Sequence, residues 1–483
     1  MSRINSNVPA LRAIHRLERN QNDLSIRLER LSTGLRINRG RDDPAGLIAS
    51  ERLRLGIRAT DQAIDNSVRA ANVISTTEGA LNEVNSLLLD LQSLVVEAAN
   101  KGALTADEIQ ANQLQIDSIL ASIDRIANTT EFGGKKLLDG TEAYTLSSLP
   151  TAALANVSVF AALVPSGTQR TVTVKVIQSA QTGTISFKGS NASGVSTTSA
   201  TTIELRGLDG SETVSFGSGS TFAEIKAAIN SLTVATGVSA IVSSPGVAGV
   251  ASALILNSTA FGSEAFVSVS PITGSFINYG NNNTLFTDKG RDVGILVDGQ
   301  PAQAAGLRAD VRTGQLDVRL HLVKNFATRL SSATFRITGG GTLFQLTPEV
   351  VTNGQVYLGL ESVRTTRLGN SVTGRLFDLR TGGARSLGSE QFLAAQQIIS
   401  ESIDQVSSYR GRLGNLQKNT IDTNVNSQSI ALENLTASES VIRDADMAEE
   451  LSSLTRAQIL VQSTQSTLQI ANSVPNLVLS LLQ

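Results

Sequence analysis

Apolar residues recur at seven-residue intervals close to the start of the chain. Asn7 suits a helix N-cap, and Pro9 in the first turn removes an N–H that would have no helical acceptor. The repeat predicts one apolar helix face of the a/d type over residues 10–39, about 45 Å long if fully helical. We call this face the N-terminal seam; its members are Ala10, Ile14, Leu17, Leu24, Leu28, Leu31 and Leu35.

A second helix is predicted directly after the loop 40–46. Asp43 can cap it, with Pro44 at its first position. Its apolar face ends near residue 100 and comprises Ile64, Val68, Ala71, Ile74, Leu81, Val84, Leu88, Leu91 and Val95. Thr105 and Glu108 then have the spacing of a capping box. The third helix that follows has the apolar positions Ile109, Ile116, Leu120 and Ile123.

The last hundred residues show the same kind of pattern. Ser389 is predicted to cap a helix with the apolar positions Phe392, Ile399, Ile403, Val406, Leu413 and Leu416. A further face, the C-terminal seam, comprises Met447, Leu451, Leu454, Val461 and Leu468. A lone helix cannot bury such stripes, so both seams need partner helices. Partners from the same chain would give a helical bundle and partners from other copies a polymer; the periodicity fits both equally.

Residues 145–388, between the helical ends, show short alternations of apolar and polar side chains that are typical of β-strands. The clearest alternations lie at 171–176, 266–269 and 335–338. One helix is predicted within this region, from Phe222 to Leu232, with Ser220 or Thr221 as its cap. The fold class is therefore α+β: long terminal α-helices forming coiled-coil arms and a helical stem, with a mainly β inserted outer region of one or two domains.

Proline placement supports this division. No proline lies between Pro44 and Pro150 or between Pro348 and Pro475. Long helices require such intervals, because an internal proline costs about 3 kcal/mol.

The composition argues against most catalytic and metal chemistry. The 483 residues include no cysteine and only two histidines, His15 and His321. A thiolate nucleophile and a histidine-rich metal site are therefore excluded, and no P-loop, HExxH or GxSxG motif occurs. We expect no enzyme activity, no catalytic residue, no metal and no cofactor.

Charge narrows the range of partners. The formal net charge of −2 gives no reason to expect nucleic-acid binding, and no apolar run approaches the roughly 18 residues of a membrane span. Residues 1–60 carry 12 basic and 6 acidic side chains, whereas residues 390–483 carry 5 and 10. Opposite charges would favour association of the two ends, although solvated faces without specific pairing fit the counts as well.

Several blocks near both ends resemble the bacterial flagellins. They lie at 31–38 (Leu-Ser-Thr-Gly-Leu-Arg-Ile-Asn), 42–46 (Asp-Asp-Pro-Ala-Gly), 77–83, 130–140, 442–450, 456–460 and 471–475. The signature positions among them are Gly34, Leu35, Arg36, Ile37, Asn38, Asp42, Asp43, Ala45, Gly46, Arg456, Ala457 and Gln458. The blocks follow the expected order, and the likeness covers about residues 1–145 and 385–483.

The resemblance implies a structural subunit that polymerises into the bacterial flagellar filament for swimming motility. Residues 1–45 with 445–483 would form a terminal coiled-coil core domain, disordered in the free monomer. Residues 46–145 with 385–444 would form the helical stem, and 146–384 the outer insert. The polymerisation seam would comprise Leu17, Leu24, Leu28, Leu31, Leu35, Met447, Leu451, Leu454, Val461 and Leu468.

The implied partners are further copies of the chain, a flagellar export chaperone, the type III export apparatus, the filament cap and the hook-associated proteins. The N-terminus lacks the basic and apolar stretches of a secretory signal. The resemblance therefore implies an extracellular protein, exported without a cleaved signal peptide.

Two alternatives remain open from the sequence. A hook–filament junction protein shares the terminal arms but does not build the long filament. A surface adhesin or soluble binding module would need a rigid ligand site, and aromatics make up only 4% of the chain.

One departure from the family concerns immune recognition. Flagellins that activate the vertebrate innate receptor carry a basic patch on the helix that matches residues 88–96. Asp90 and Gln92 stand at the positions expected to be basic, although Leu94 is kept. The resemblance therefore implies weak or absent receptor activation by this chain.

Overall fold

The computed structural model describes residues 7–100, 102–164, 168–188, 200–243, 253–273, 287–370 and 373–480, with side chains up to residue 473. The chain forms two compact units. The first unit comprises Met1–Asn72, Phe344–Val356 and Asn415–Gln483, and the second comprises Val73–Leu343 and Tyr357–Gly414.

Long helices occupy both ends of the described chain, as the heptad patterns predict. The helices are α1 (Val8–Thr33), α2 (Pro44–Ala98), α3 (Ala106–Thr129), α4 (Phe222–Ser231), α5 (Thr233–Thr236), α6 (Lys324–Ala327), α7 (Phe392–Leu416), α8 (Asp422–Arg443) and α9 (Met447–Ser480). A π-helical turn, Gln417–Ile421, joins α7 to α8.

The strands lie in the middle of the chain. They are β1 (Glu131–Phe132), β2 (Lys135–Lys136), β3 (Thr145–Ser147), β4 (Leu154–Ala162), β5 (Arg170–Gln178), β6 (Thr184–Lys188), β7 (Thr201–Arg206), β8 (Ser211–Phe216), β9 (Val238–Ser243), β10 (Ala253–Ser258), β11 (Phe266–Thr273), β12 (Thr287–Lys289), β13 (Gly294–Val297), β14 (Gln300–Pro301), β15 (Gln303–Ala305), β16 (Arg308–Arg312), β17 (Leu316–Leu322), β18 (Ser332–Gly339), β19 (Thr342–Gln345), β20 (Gln355–Leu358), β21 (Gly369–Asn370) and β22 (Gly374–Arg375). The predicted α+β class is confirmed.

In the first unit, α2 packs against α8. A Cβ atom on Gly56 of α2 would lie 3.6 Å from the Leu435 side chain of α8. Asn424 of α8 donates one hydrogen bond to Ser67 of α2 and another to the carbonyl oxygen of Leu346, which follows β19. Gly56 and Ser67 of α2 therefore face α8.

The second unit contains two separate hydrophobic cores among its described strands. The first lies between the sheet β14-β13-β5-β18-β3 and the sheet β15-β16-β17-β4. Alternate residues of β5 and β17, such as Val172, Val174, Val318 and Leu320, point into it and are buried. We call this the sandwich module.

The second core lies within the chain segment between β5 and β13, which we call the inserted module (residues 183–289). Its sheets are β6-β10-β9 and β12-β11-β7-β8, and α4 packs on them through Phe222, Ile225 and Ile229. Thr221 is the cap of α4: its hydroxyl accepts the Glu224 N–H, and the Glu224 carboxylate accepts the Thr221 N–H. The outer region therefore has two hydrophobic cores.

The structure corrects two helix boundaries. The sequence predicts that the first helix reaches residue 39, but it ends at Thr33. Gly34 takes the left-handed conformation (φ 72°), and its N–H donates to the carbonyl oxygen of Arg30 at 2.8 Å, which ends the helix. Ser389 was expected to cap a helix. It lies instead in a 3₁₀ turn, where its hydroxyl donates a hydrogen bond to the carbonyl oxygen of Ser386. Helix α7 begins only at Phe392.

The buried face of α2 also differs in its first half from the predicted one. Val68 was placed on that face but is exposed, whereas its neighbour Ser67 is buried. The Ser67 hydroxyl donates to the carbonyl of Ala63 at 2.8 Å, so burial leaves it satisfied. The apolar pattern alone therefore predicts the wrong buried residue at this turn of α2.

Candidate functional site

The two arms, α1 and α9, lie side by side and run in opposite directions. Asn7 Nδ2 donates to the carbonyl oxygen of Ala471 at 2.9 Å. Asn20 Nδ2 donates to the carbonyl oxygen of Leu460 at 3.3 Å. Residue numbers rise along one helix as they fall along the other, so the pair is antiparallel.

The surfaces of contact follow a three-four spacing on both arms, which is the a/d pattern of paired helices. We call these surfaces the inner stripes. On α1 the inner stripe comprises Ala10, Ala13, Leu17, Asn20, Leu24, Arg27 and Leu31. On α9 it comprises Glu450, Leu454, Ala457, Val461, Thr464, Leu468 and Ala471. Six residues of the predicted seam are therefore on the inner stripes: Leu17, Leu24, Leu31, Leu454, Val461 and Leu468.

The remaining helical residues of the predicted seam face away from the partner arm. Leu28 is 49% exposed, Met447 49% and Leu451 55%. Leu11, Ile14, Ile459, Leu460 and Ile470 of the two arms are also exposed. The single chain thus leaves much apolar surface in water on the outer sides of both arms.

One charged cluster interrupts the apolar contact between the arms. Glu450 of α9 is only 6% exposed, and its carboxylate accepts hydrogen bonds at 3.1 Å from Arg27 and from Arg30 of α1. Arg27 also donates to Asp23 at 3.3 Å. Burial alone would raise the pKa of Glu450, but the hydrogen bonds from the two guanidinium groups hold it below the usual value.

A short backbone clasp closes the end of the arm pair. The Arg36 N–H donates to the carbonyl of Arg443 at 2.7 Å, and the Ala445 N–H donates to the carbonyl of Gly34 at 2.9 Å. Leu35 lies opposite Asp444 in this antiparallel bridge. Leu35 therefore sits beyond α1, in the clasp rather than on a helix face.

The signature residues after the clasp build a compact loop. The Asn38 side chain donates to the carbonyl of Leu35 at 3.1 Å, and Ile37 is buried. One carboxylate oxygen of Asp42 accepts the N–H groups of Asn38 and Arg39 at 3.1 and 2.8 Å. The hydrogen bond from Arg39 is the main reason that the pKa of Asp42 is lowered.

The same loop starts the next helix. The Asp43 carboxylate caps α2 by accepting the Gly46 N–H at 2.8 Å, as the sequence predicts. A Cβ atom on Gly46 would lie 2.8 Å from Ile37 Cδ1 and would also meet the Asp43 carboxylate, so only glycine fits there. Ala45 is exposed, and the structure gives no local reason for its identity.

The C-terminal signature lies on α9. Ala457 is buried on the inner stripe, whereas Arg456 and Gln458 on either side of it are exposed. At the receptor-patch positions of α2, Asp90 is exposed and Gln92 half-buried, on either side of the buried Leu91.

An ion cluster in the second unit was missed by the sequence analysis. Arg412 of α7 donates to Asp310 of β16 at 2.9 Å and to Asp317 of β17, and Arg319 of β17 donates to Asp310 at 2.9 Å. The Arg412 guanidinium also lies 3.8 Å from the centroid of the Phe160 ring. Strand alternation marks these positions as polar, but it carries no signal that α7 covers them.

Glu361 lies beside this cluster. Its N–H donates to the Tyr409 hydroxyl oxygen at 3.1 Å, and that hydroxyl donates to the carbonyl of Gly359 at 3.3 Å. Burial raises the pKa of the Glu361 carboxyl to about 7, although a hydrogen bond from Ser158 and the charge of Arg412 act in the opposite direction.

Metal and membrane sites were also sought in the parts of the chain that the structure describes. No group of three or more His, Cys, Asp or Glu side chains there could hold a metal ion. Nor does any described helix have the length and apolar character needed to cross a membrane.

Comparisons with known proteins agree with this geometry. A profile of the bacterial flagellin N-terminal helical region matches residues 4–143, and one of the bacterial flagellin C-terminal helical region matches residues 396–482. A flagellin of Clostridium tyrobutyricum is 30% identical over 474 residues, which cover 97% of this chain and 98% of that protein.

Two further relatives extend the comparison. A flagellin of Salmonella muenchen is 27% identical over 522 residues, covering 99% of each chain. A flagellin of Bacillus subtilis is 46% identical over 140 residues, covering 29% of this chain and 46% of that protein. With both terminal regions matched and a relative aligned along nearly its whole length, this chain belongs to the flagellin family, and it is a structural subunit that polymerises into the bacterial flagellar filament.

Proposed function

We propose that the paired arms α1 and α9 are the element through which this flagellin polymerises. The observation that carries the proposal is the division of each seam between two sides of its helix. Leu17, Leu24 and Val461 face the other arm, whereas Leu28 and Leu451 are exposed. One side is used within the chain, and the exposed side is available to other copies.

Heterologous contacts that do not close into a ring produce an open helical polymer. Burial of apolar side chains contributes about 25 cal/mol per Å² removed from water, and every added subunit would repeat that gain. A free chain has no such partner for its outer apolar side chains. The arms would therefore be ordered best within the filament.

We assign the regions of the chain accordingly. Residues 1–45 with 445–483 form the coiled-coil core of the filament, 46–145 with 385–444 the stem, and 146–384 the outer insert. The close packing of α2 on α8 and the separate cores of the sandwich and inserted modules support these assignments.

The export route and the further partners are also part of the proposal. The chain would leave the cell unfolded through the flagellar type III apparatus, without a cleaved signal peptide. A chaperone would cover the apolar C-terminal helix before export, and assembly would involve the filament cap and hook-associated proteins. A chain without cysteine suits such a route, because no disulfide can form prematurely.

Negative-stain microscopy of the purified chain, seeded or salted out, tests the polymerisation proposal. A version lacking about forty residues from each end serves as the matched sample. Long uniform filaments from the full chain and none from the truncated chain are expected. Short caps or persistent monomers from the full chain under every condition would instead favour a hook–filament junction protein.

A further inference from the structure

The apolar positions of the two arms do not by themselves define how the arms are aligned. On α9, Leu454, Val461 and Leu468 are spaced seven apart, and on α1, Leu17, Leu24 and Leu31 have the same spacing. Sliding one arm along the other by seven residues, about 10.5 Å, brings equivalent leucine and valine side chains opposite each other again. Apolar burial is therefore similar in several alignments.

The polar residues of the inner stripes are not repeated in this way. Glu450 lies level with Arg27 and Arg30 and accepts a hydrogen bond at 3.1 Å from each. Asn20 faces Thr464, with Nδ2 and Oγ1 3.4 Å apart. The residues that follow Glu450 on α9 at seven-residue intervals are Ala457, Thr464 and Ala471, none of which is charged.

A slide of seven residues in either direction takes Glu450 away from its partners. Towards the start of α1, its carboxylate would lie between Asn20 and Asp23, beside a like charge. Towards the end of α1, it would lie between Gly34 and Ile37, beyond the last helical residue. In both cases a buried carboxylate would lose two charged hydrogen bonds, which is strongly unfavourable.

We propose that Glu450, held between Arg27 and Arg30, selects the register in which α1 and α9 pair. It acts beside the backbone clasp that joins the ends of the arms, while the apolar residues supply the stability of the pair. The inference rests on the proposed role of the arms in polymerisation and names the residue that specifies their alignment. A single polar interaction inside a paired-helix interface commonly has this effect on register.

The exposed neighbour Glu449 provides a matched control. It lies on the same turn of α9 and has the same chemistry, but it is exposed to solvent. Glu450→Gln removes the buried charge while keeping the shape of the side chain, and Glu449→Gln removes an exposed charge one residue away.

Register can be read by disulfide mapping because the chain contains no cysteine. Asn20→Cys with Thr464→Cys reports the native alignment, and Asn20→Cys with Ala471→Cys or Ala457→Cys reports a slide of seven residues in either direction. Each pair is introduced into the full chain, assembled into filaments and oxidised. Electrophoresis under denaturing conditions then separates links within one chain from links between chains.

With Glu450 intact, the Asn20→Cys/Thr464→Cys pair should give the dominant link. Glu450→Gln should raise the ratio of shifted to native links about tenfold or more, as expected when a buried charge pair is broken. Glu449→Gln should leave the ratio unchanged. An unchanged ratio in Glu450→Gln filaments would overturn the proposal.

If Glu450→Gln chains do not assemble, a variant that moves the glutamate along α9 tests the same proposal. Glu450→Ala combined with Ala457→Glu moves the acid by one heptad, so it should raise the Asn20→Cys/Ala471→Cys link relative to the native link. A purely structural role for Glu450 predicts no such shift, and a native link that stays dominant would contradict the inference. The role of the arms is tested separately: filaments from the chain that lacks about forty residues at each end would refute that role, whatever register the disulfide links report.

Discussion

At the scale of single residues, a few charged side chains with little exposure to solvent join distant segments of this chain. Glu450 and Arg412 each have charged hydrogen-bond partners from a distant part of the sequence, and the buried Glu361 lies near Arg412. Such groups are costly to bury alone, so their partners constrain which segments can meet. Burial raises the pKa of the Glu361 carboxyl, whereas the hydrogen bonds from Arg27 and Arg30 lower that of Glu450.

Stability of the second unit should depend on pH through Glu361. The pKa of its carboxyl is about 7 in the folded chain against a usual value of 4.5. A raised pKa means that the folded state holds the proton more tightly. The resulting stabilisation is fully present below pH 4.5 and is lost as the pH rises through about 7, by on the order of 3 kcal/mol.

Glu361→Gln should remove this part of the pH dependence. Urea unfolding of the wild-type chain and of Glu361→Gln, compared between pH 5 and pH 8, measures it. The variant should gain stability relative to wild type at pH 8 and not at pH 5. Equal differences at both pH values would show that the carboxyl does not titrate in this interval.

Receptor recognition belongs to the residue scale as well. Asp90 is exposed on α2 where receptor-activating flagellins carry a basic side chain. A negative charge there should repel a surface that binds a positive one, so purified monomer should activate the vertebrate innate receptor weakly or not at all. A reporter-cell assay measures this, with Asp90→Arg/Gln92→Arg as the comparison. Strong activation by the unaltered chain would refute the prediction.

At the scale of elements, the inserted module is joined to the sandwich module through closely packed backbone. Gln181 and Arg291 exchange both backbone hydrogen bonds at 2.9 Å. A Cβ atom on Gly290 would lie 2.6 Å from the carbonyl oxygen of Gln181 and would also meet that of Gly262. The segments that enter and leave the inserted module thus pair like the last two residues before a hairpin turn. Gly290 allows this close approach because it has no Cβ atom.

Excision of the inserted module should leave the rest of the chain folded. Replacing residues 182–290 by Asn-Gly would connect Gln181 to Arg291, which already pair, through a two-residue turn. The two modules have separate cores, so the sandwich module keeps its buried side chains and loses only the half-buried Phe261, which packs against its core from the inserted module. We expect filaments of smaller diameter by electron microscopy. Aggregation of the excised chain, with loss of its strand signal in circular dichroism, would contradict this expectation.

At the scale of the whole molecule, the arms bear on assembly more than on folding. Leu24 and Val461 are half-buried on the inner stripes. Leu24→Asp or Val461→Asp would place an unpaired charge at each repeat of the polymer, at a cost of several kcal/mol. Either change should abolish polymerisation, while the stem and the insert stay folded.

Sedimentation and electron microscopy measure assembly of these variants, and circular dichroism measures folding. Asn22→Asp and Gln462→Asp are suitable controls, because both amide side chains are exposed on the same helices. Normal filaments from Leu24→Asp or Val461→Asp would contradict the proposed role of the inner stripes.

Most of the long helices of this protein follow from local patterns in its sequence. Heptad spacing, capping residues and long intervals without proline predict α1, α2, α3 and α9, because these signals act between residues a few positions apart. The Asp298-Gly299 turn, in which both residues have positive φ (50° and 81°), is local in the same way.

Which elements meet, and through which residues, depends on contacts between segments far apart in the chain. Leu35 and Arg36, just after the end of α1, pair with residues near 444, about four hundred positions away. The alignment of Glu450 with Arg27, and of Arg412 with Asp310, joins positions hundreds or about a hundred residues apart. Periodicity marks such positions as buried or polar, but their partners are set by packing between distant segments, which no local pattern encodes.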